Sequence, residues 1–301
     1  SIARQGASIA AGAKTVLNGS TILANPRLWG PPPTQQPNRY VAVSTVMQGG
    51  KVIDSYETRF GIRTIAFDPD KGVIVNGEHV PLRGVNNHHD LGAIGAAFNR
   101  RAAQRQLEIL QDMGTNAIRM SHNPPAPELL DLCDRMGFVV MDETFDMWRK
   151  RKTTYDYSLY FNEWHERDLS DHILRDRNHP SIFMWSIGNE VLEQWTHADA
   201  DTLDIKEANL LLNMKRDKNS LAADGKELSV NSLLTKKLVD MVKALDSTRP
   251  VTAGNNEPDP SNHLFRSGAL DLIGFNYHET YFKDVPRNFP GKPFIVTEST
   301  R

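Results

Sequence analysis

The chain has 301 residues and a formal net charge of −2, with 35 Lys and Arg against 37 Asp and Glu. This length suffices for one large domain or two ordinary ones with a sizeable core. The balanced charge argues against a nucleic-acid partner, and no apolar stretch approaches the ~20 residues of a membrane span. The single cysteine, Cys133, excludes an internal disulfide and is interpreted as a core residue. The run "RKRK" at 149–152 is interpreted as solvated surface.

Residues 1–79 have the composition of β-structure. Runs rich in β-branched and aromatic residues, such as "YVAVSTVMQ" and "GVIVNGEHV", are separated by Gly, Pro and Asn-Gly turns. These runs are too few for a complete sandwich of about seven strands. The region therefore predicts the C-terminal part of an all-β, immunoglobulin-like sandwich domain.

Residues 80–301 alternate between short apolar strands and helical patterns. The predicted helices cover 99–114, 126–137, 161–178 and 231–246, and about seven strands lie around them. This alternation favours parallel βα units, so we predict an α/β domain, a (β/α)8 TIM-type barrel that is incomplete and lacks its last unit. A doubly wound sheet is the competing architecture, but "GAIGAAF" at 92–98 lacks the spacing of its Gly-rich phosphate loop and does not follow a strand.

Each predicted strand ends in polar side chains that can bind a substrate or take part in catalysis. In chain order they are Asn86, His88, His89, Asp90, Arg119, Ser121, His122, Asp142, Glu143, Asn189, Glu190, Asn255, Asn256, Glu257, Asn276, Tyr277, His278 and Glu298. The carboxyl ends of barrel strands meet at one mouth, where the active sites of such enzymes lie. Strands that all end in this way therefore predict an active site at the mouth.

A pair of carboxylates is the chemistry that fits these strand ends best. The sequence has no G-x-S-x-G nucleophile elbow and no P-loop. The "HHD" at 88–90 suggests a metal only weakly, because no further His-rich signature completes a site. Glycosidases use two carboxyl groups that flank the scissile bond, and Glu190 and Glu298 end strands that face each other across the predicted mouth.

Several motifs resemble glycoside hydrolase family 2. "RNHPSIFMWSIGNE" resembles that family's acid/base signature, and "GVNNHHD" resembles the segment that opens its barrel. "NAIRMSHNPPAPELLDLCDRMGFVVMDE" is similar to its second and third βα units, and "PFIVTES" resembles its nucleophile strand. The resemblance covers residues 40–301 and is strongest to the β-galactosidase branch. It implies a retaining, exo-acting β-glycosidase.

The resemblance also implies a role for individual residues. Glu190 would be the general acid and then the base, and Glu298 the nucleophile that forms a covalent glycosyl-enzyme. Retention of configuration would place their carboxyl groups ~5–5.5 Å apart. Asn189 would bond the sugar 2-hydroxyl.

Four further residues match positions that serve the substrate or the nucleophile in this family. His88 and His122 would hold sugar hydroxyls. Tyr277 would donate a hydrogen bond to the nucleophile, and the guanidinium of Arg119 would favour its ionised form. Substrate binding would thus involve His88, Arg119, His122, Asn189 and Tyr277.

Some side chains have two interpretations that the sequence leaves open. Trp148 and Trp185 could stack on sugar faces or pack in the core. Asp142 and Glu143 could bind sugar, orient the acid/base residue, or form a structural pair with Arg119. Two later carboxylates are weaker candidates still, Glu257 and Glu279.

Substrate, cofactors and partners are predicted only in outline. A galactoside is favoured; the alternatives are a β-glucuronidase or another family 2 glycosidase, for which Lys292 and Arg301 are weak candidates to bind a sugar carboxylate. A non-catalytic carbohydrate-binding scaffold and a metal-dependent hydrolase are the alternatives of another class. No cofactor is predicted to be required, although a structural or activating Mg or Na ion, as in some relatives, stays open.

The limits of the chain bear on these expectations. It begins without Met and ends three residues after Glu298, so we expect it to be a segment of a longer enzyme, and the activity of the segment alone is in question. A cytoplasmic, periplasmic or secreted location is left open. We predict a glycoside or oligosaccharide as partner, no membrane association, and leave a homo-oligomer open.

Overall fold

The computed structural model describes residues 4–195 and 228–299. The chain first forms two small antiparallel sheets. Their strands are β1 (Tyr40–Gln48) and β2 (Lys51–Phe60) in one sheet, and β3 (Ile65–Asp68), β4 (Gly72–Val75) and β5 (Glu78–His79) in the other. The prediction of an all-β region before the barrel is confirmed. Its boundary at residues 79 and 80 stays a prediction.

The hairpin of β1 and β2 turns at two glycines. Gly49 and Gly50 both have positive φ, which costs a glycine little. The strands pair from Tyr40 with Phe60 to Gln48 with Lys51, and most of their side chains are exposed.

In the described part of the chain seven parallel strands follow, and they form the wall of the barrel. They are β6 (Gly84–His88), β7 (Ala117–Ser121), β8 (Val139–Glu143), β9 (Ile182–Asn189), β10 (Val251–Gly254), β11 (Ile273–Asn276) and β12 (Phe294–Glu298). Strands β6 to β10 are hydrogen-bonded in sequence order, β11 pairs with β12, and a parallel bridge between Asn255 and Phe275 connects the two sheets.

The barrel is open between its first and last described strands. Within the described residues β6 and β12 lie in different sheets, and a cavity of about 760 Å³ lies between them. The predicted fold class, an incomplete (β/α)8 TIM-type barrel of about seven strands, is confirmed.

Helices cover the outside of this wall. They are α1 (Arg100–Asp112), α2 (Pro127–Met136), α3 (Ser158–Asp176), α4 (Val230–Leu245), and the short α5 (His263–Arg266) and α6 (Val285–Asn288). Asn99 and Ser229 cap α1 and α4 by accepting backbone N–H bonds, and Gly137 ends α2 at a φ of 82°. None of the helices in residues 4–195 and 228–299 is long and apolar enough to cross a bilayer.

The amino-terminal ends of the strands are closed by a buried apolar cluster. Val73 and Val75 of β4 and the fully buried Trp29 pack there with Phe183 of β9 and Met141 of β8. The larger core lies between the barrel and its helices and includes Cys133, as predicted. The polar side chains that end the strands lie at the other end of the barrel.

Candidate active site

Arg119 connects the polar groups at the mouth of the barrel. Its side chain is only 4% exposed, on β7. Nε and Nη2 donate to the carboxylate of Glu143, Nη2 also donates to Asn189 Oδ1 at 2.9 Å, and Nη1 donates to Glu298 Oε1 at 2.6 Å. Interaction with these two carboxylates outweighs burial and raises the pKa of Arg119. A permanent cation therefore lies between the ends of β7, β8, β9 and β12.

Glu143 is a completely buried carboxylate that accepts hydrogen bonds from several neighbours. Beside Arg119, it accepts from Ser186 Oγ at 2.5 Å and contacts His122 Nδ1 at 2.7 Å. Burial alone would raise its pKa, but Arg119 above all, with His122 and Ser186, lowers it to about 2. Glu143 is thus ionised throughout the ordinary pH range.

Glu298 ends β12, and each of its carboxylate oxygens has a strong donor. Arg119 donates to Oε1, and the Tyr277 hydroxyl donates to Oε2 at 2.5 Å. His122 Nε2 lies 3.5 Å from Oε1. Both oxygens of the Glu298 carboxylate are therefore held by donors, one from β7 and one from the end of β11.

Glu190 follows β9 in a different setting. Its carboxylate accepts from the Asn276 side chain at 2.9 Å, and no ion pair to it is found among the described residues. Its backbone N–H donates to the carbonyl of Gly254 at 2.7 Å, and its φ is 42°. A left-handed conformation costs a non-glycine residue on the order of 1 kcal/mol, and such residues concentrate at functional sites.

Asn276 joins the two glutamates to one framework. Its Cα is in register with Glu298 across β11 and β12, while its side-chain amide reaches both Glu190 and Asn189. Thr297 holds the amide oxygen of Asn276 at 2.5 Å. Glu190 and Glu298 therefore lie at the same mouth.

Glycine at position 254 makes room for this framework. A Cβ on Gly254 would lie 2.5 Å from Arg119 Nη2 and 2.8 Å from Asn276 Oδ1. Real Cβ atoms essentially never come so close, so a larger residue here would displace Arg119 or Asn276.

The structure brings the other predicted substrate-binding residues to the same mouth. The rings of His88 and His122 pack edge to face with centroids 5.1 Å apart, and His122 also touches Glu143 and Glu298. Asn189 accepts from Arg119 and Asn276 through Oδ1 and donates from Nδ2 to Asp146 at 3.0 Å. Their roles toward a sugar stay predictions.

The two tryptophans are core residues. Trp148 is fully buried and donates from Nε1 to the Ile187 carbonyl at 2.7 Å. Trp185 is also buried and donates to Asp246 Oδ2 at 2.9 Å. The interpretation of these rings as sugar platforms is therefore wrong, and the alternative of core packing is correct.

Asp142 and Glu143 project to opposite sides of β8, as successive strand residues do. Glu143 forms the structural pair with Arg119 that was one of its interpretations. Asp142 instead lies 3.2 Å from His172 Nε2 on α3, so neither carboxylate is exposed to a sugar. Of the two weaker candidates, Glu257 is buried and Glu279 is exposed.

The position of Lys152 beside the site was not predicted from the sequence. Its ammonium donates to Asp146 Oδ1 at 2.7 Å and to the Asn189 carbonyl at 2.6 Å, and its side chain is only 13% exposed. The interpretation of 149–152 as solvated surface is wrong for this residue. Its place beside "NE" is set by the loop between β8 and α3, and a basic run carries no signal of that contact.

One buried cluster near the site has atoms spaced closely enough to hold a metal ion. Asp142, His172 and Asp176 offer ligand atoms within 4.8 Å of one another. Burial would lower the pKa of His172, but the carboxylates of Asp142 and Asp176 raise it to about 9. Arg175 also binds Asp176. An imidazolium and a guanidinium thus balance the two acids, and this charge balance favours a protein-only network.

The chain matches two family profiles and several known proteins. The family profile described as "Glycosyl hydrolases family 2, TIM barrel domain" matches residues 69–299, and that described as "Glycosyl hydrolases family 2" matches residues 2–63. The β-galactosidase BoGH2A of Bacteroides ovatus is 61% identical over 289 residues, which are 96% of this chain and 34% of that protein. A β-glucuronidase of Bacteroides fragilis is 27% identical over 88% of this chain and 33% of its own length.

Solved structures show the same likeness. The crystal structure of a glycosyl hydrolase family 2 member from Bacteroides cellulosilyticus superposes with a TM-score of 0.74 at 37% identity and covers 91% of this chain and 31% of that one. A β-glycosidase from Bacteroides vulgatus gives a TM-score of 0.70 at 34% identity, over 90% and 30% of the two chains. This chain spans about a third of the length of these relatives. The match of the family 2 barrel profile to residues 69–299 shows that the chain belongs to glycoside hydrolase family 2.

Proposed function

We propose that this chain carries the catalytic centre of a retaining, exo-acting β-glycosidase that releases terminal β-linked galactose from glycosides or oligosaccharides. The observation that carries the proposal is the unequal surroundings of two carboxylates at one mouth. Glu298 accepts from a cation and a phenol, one on each oxygen. Glu190 accepts from one neutral amide among the described residues.

This difference suits the two tasks of a double displacement. The nucleophile must be held in place for its attack, and Arg119 and Tyr277 bind both oxygens of Glu298. The general acid exchanges a proton with the leaving group and then with water, and Glu190 has one neutral amide as its side-chain partner among the described residues. Family membership supports the same assignment, because the motif around each residue matches the corresponding family segment.

The proposed reaction has two steps. Glu190 gives its proton to the glycosidic oxygen while a Glu298 oxygen bonds the anomeric carbon, and the C–O bond to the leaving group breaks. Glu190 then takes a proton from water, whose oxygen attacks the same carbon and releases Glu298. Two inversions restore the starting configuration. Asn189, His88 and His122 would hold hydroxyls of the sugar during both steps.

A galactoside is the substrate that the relatives favour. The 61% identical relative is a β-galactosidase, whereas a putative β-glucuronidase of Formosa agariphila is 36% identical and a β-glucuronidase of Bacteroides fragilis is 27% identical. A glucuronidase needs a cation for the sugar carboxylate. Lys292, a weak candidate for that role, donates to the Leu270 carbonyl at the start of β12, which is the end opposite to the mouth. The other candidate, Arg301, lies outside the described residues.

The proposal is tested by assaying the complete protein with 4-nitrophenyl β-galactoside and β-glucuronide. We expect the galactoside to be preferred, with Glu190→Gln lowering its turnover ~10²- to 10⁴-fold and Glu298→Gln abolishing it. The exposed Glu279→Gln is the matched control and should keep full activity. Proton NMR of the first product should show the β anomer. An α anomer, or normal turnover by Glu298→Gln, would contradict the mechanism, and a preference for the glucuronide would overturn the substrate.

A further inference from the structure

Glu143 is enclosed by protein groups and reaches no solvent. It is completely buried, and its oxygens accept from Arg119, Ser186 and His122. A buried ion pair of this kind often adds no stability over apolar side chains of the same volume, because both charges lose their hydration. What distinguishes this carboxylate is the pair of groups that it holds, since both of them also face Glu298.

Glu143 fixes the direction of the Arg119 guanidinium. Nε and Nη2 lie along one edge of that planar group, and both donate to Glu143 at 2.7–3.0 Å. Because the guanidinium is rigid, holding one edge also sets the direction of Nη1. Nη1 is the atom that donates to Glu298 Oε1 at 2.6 Å.

Glu143 also sets which nitrogen of His122 carries the proton. The pKa of Glu143 is about 2, so its oxygens only accept. His122 Nδ1, 2.7 Å away, must therefore be the N–H that donates. Nε2 is then left facing the mouth, 3.5 Å from Glu298 Oε1, on a side chain that is 14% exposed. A second partner that fixes a histidine tautomer also fixes what the free nitrogen can bind.

We propose that Glu143 is a positioning residue of the catalytic centre: it aims Arg119 Nη1 at the nucleophile and holds His122 in the tautomer whose Nε2 accepts a hydroxyl of the sugar. This role rests on the proposed function, because it acts through Glu298 and through the bound sugar. Glu143 itself bonds neither the substrate nor the nucleophile.

The test is Glu143→Gln in the complete protein. Glutamine keeps the size but has one accepting oxygen, and its NH₂ group must point at a donor. We expect kcat/KM to fall ~10²-fold, the usual effect of a misplacement near the reacting atoms. The loss should fall on kcat more than on KM, because Arg119 Nη1 contacts the nucleophile and not the substrate.

Asp142→Asn is the matched control. Asp142 is the neighbouring residue, equally buried and also paired with a histidine, but on the opposite side of β8. If both carboxylates were purely structural, the two substitutions would have the same kind of effect on activity and stability. We expect Asp142→Asn to lower only the melting temperature and to leave kcat and KM of the folded enzyme unchanged.

The number of competent sites separates misfolding from misplacement. Trapping with a 2-deoxy-2-fluoro-galactoside counts the molecules that can form the glycosyl-enzyme, and kcat is then expressed per competent site. Glu143→Asp, which keeps the charge, should recover part of the lost kcat. If Glu143→Gln shows wild-type kcat per competent site, the positioning role is wrong. If wild-type protein hydrolyses no aryl glycoside, the proposed function fails instead.

Discussion

Glu190 and Glu298 are both glutamates at the mouth of the barrel, but their hydrogen-bond partners differ. Glu298 contacts Arg119 and Tyr277, and Glu190 contacts the Asn276 amide. The sequence predicted both residues and their mouth, since each follows an apolar strand. The donors of Glu298 could be assigned only through the family resemblance, because spacing does not show that Arg119 of the distant β7 and Tyr277 after the neighbouring β11 reach the same carboxylate.

Tyr277 should assist catalysis through its hydrogen bond to the nucleophile Glu298. Its hydroxyl donates to Glu298 Oε2 at 2.5 Å. A hydrogen bond to a charged group contributes about 1.5–3 kcal/mol, so we predict that Tyr277→Phe lowers kcat ~10- to 100-fold with a smaller change in KM. The measurement is steady-state kinetics on an aryl galactoside, with the exposed Tyr155→Phe as control. Equal kcat in both variants would remove Tyr277 from the mechanism.

Aromatic and basic residues were the hardest to place from the sequence. Trp148 and Trp185 are apolar rings with one donor, a composition that suits the core and a sugar platform equally. Because both indole N–H groups donate to buried protein acceptors, the two rings belong to the core. Lys152 was misread for the opposite reason: a long side chain in a basic run usually points to water, and only the folded loop brings its ammonium to Asn189.

The strand period of two explains why the neighbouring acids Asp142 and Glu143 of β8 contact different parts of the protein. On β8, Glu143 points into the barrel and Asp142 points to α3. Alternation was predictable from the sequence, but which acid faced inward was not, because β8 is buried on both sides and carries no apolar-polar pattern.

The contact between β8 and α3 should make stability depend on pH. His172 faces Asp142 from β8 and Asp176 from its own helix, and Arg175 also binds Asp176. Burial opposes the charged imidazole, but the two carboxylates raise the His172 pKa from 6.5 to about 9. The folded state therefore holds this proton more tightly than the unfolded state does.

The sign of the effect follows from that difference. The His172 contribution to the free energy of unfolding should be complete below about pH 6.5 and lost as the pH rises through about 9. Urea unfolding at several pH values, compared with His172→Gln, measures it. We predict that the gap between wild type and variant narrows from pH 6 to pH 9. A gap that stays constant or widens would show that His172 is neutral in the folded protein.

The two ends of the barrel differ in composition. An apolar cluster that includes Trp29 and Phe183 covers the amino-terminal end, and the arginine, asparagines and glutamates lie at the other. Parallel strand–helix alternation made this arrangement predictable, because strand ends share one mouth. Arg119 and Glu298 also line the cavity between β6 and β12, so the site borders the open side of the wall.

The proposed role of Glu298 as the nucleophile is tested most directly by trapping its ester. The fluorine of a 2-deoxy-2-fluoro-β-galactoside slows both steps, and a good leaving group speeds the first, so the glycosyl-enzyme accumulates. Mass spectrometry of a digest of the complete protein then locates the sugar. We predict one galactosyl ester, on Glu298 within "PFIVTESTR". An ester on Glu190 or another carboxylate, or turnover of galactosides without any trapped ester, would contradict the account.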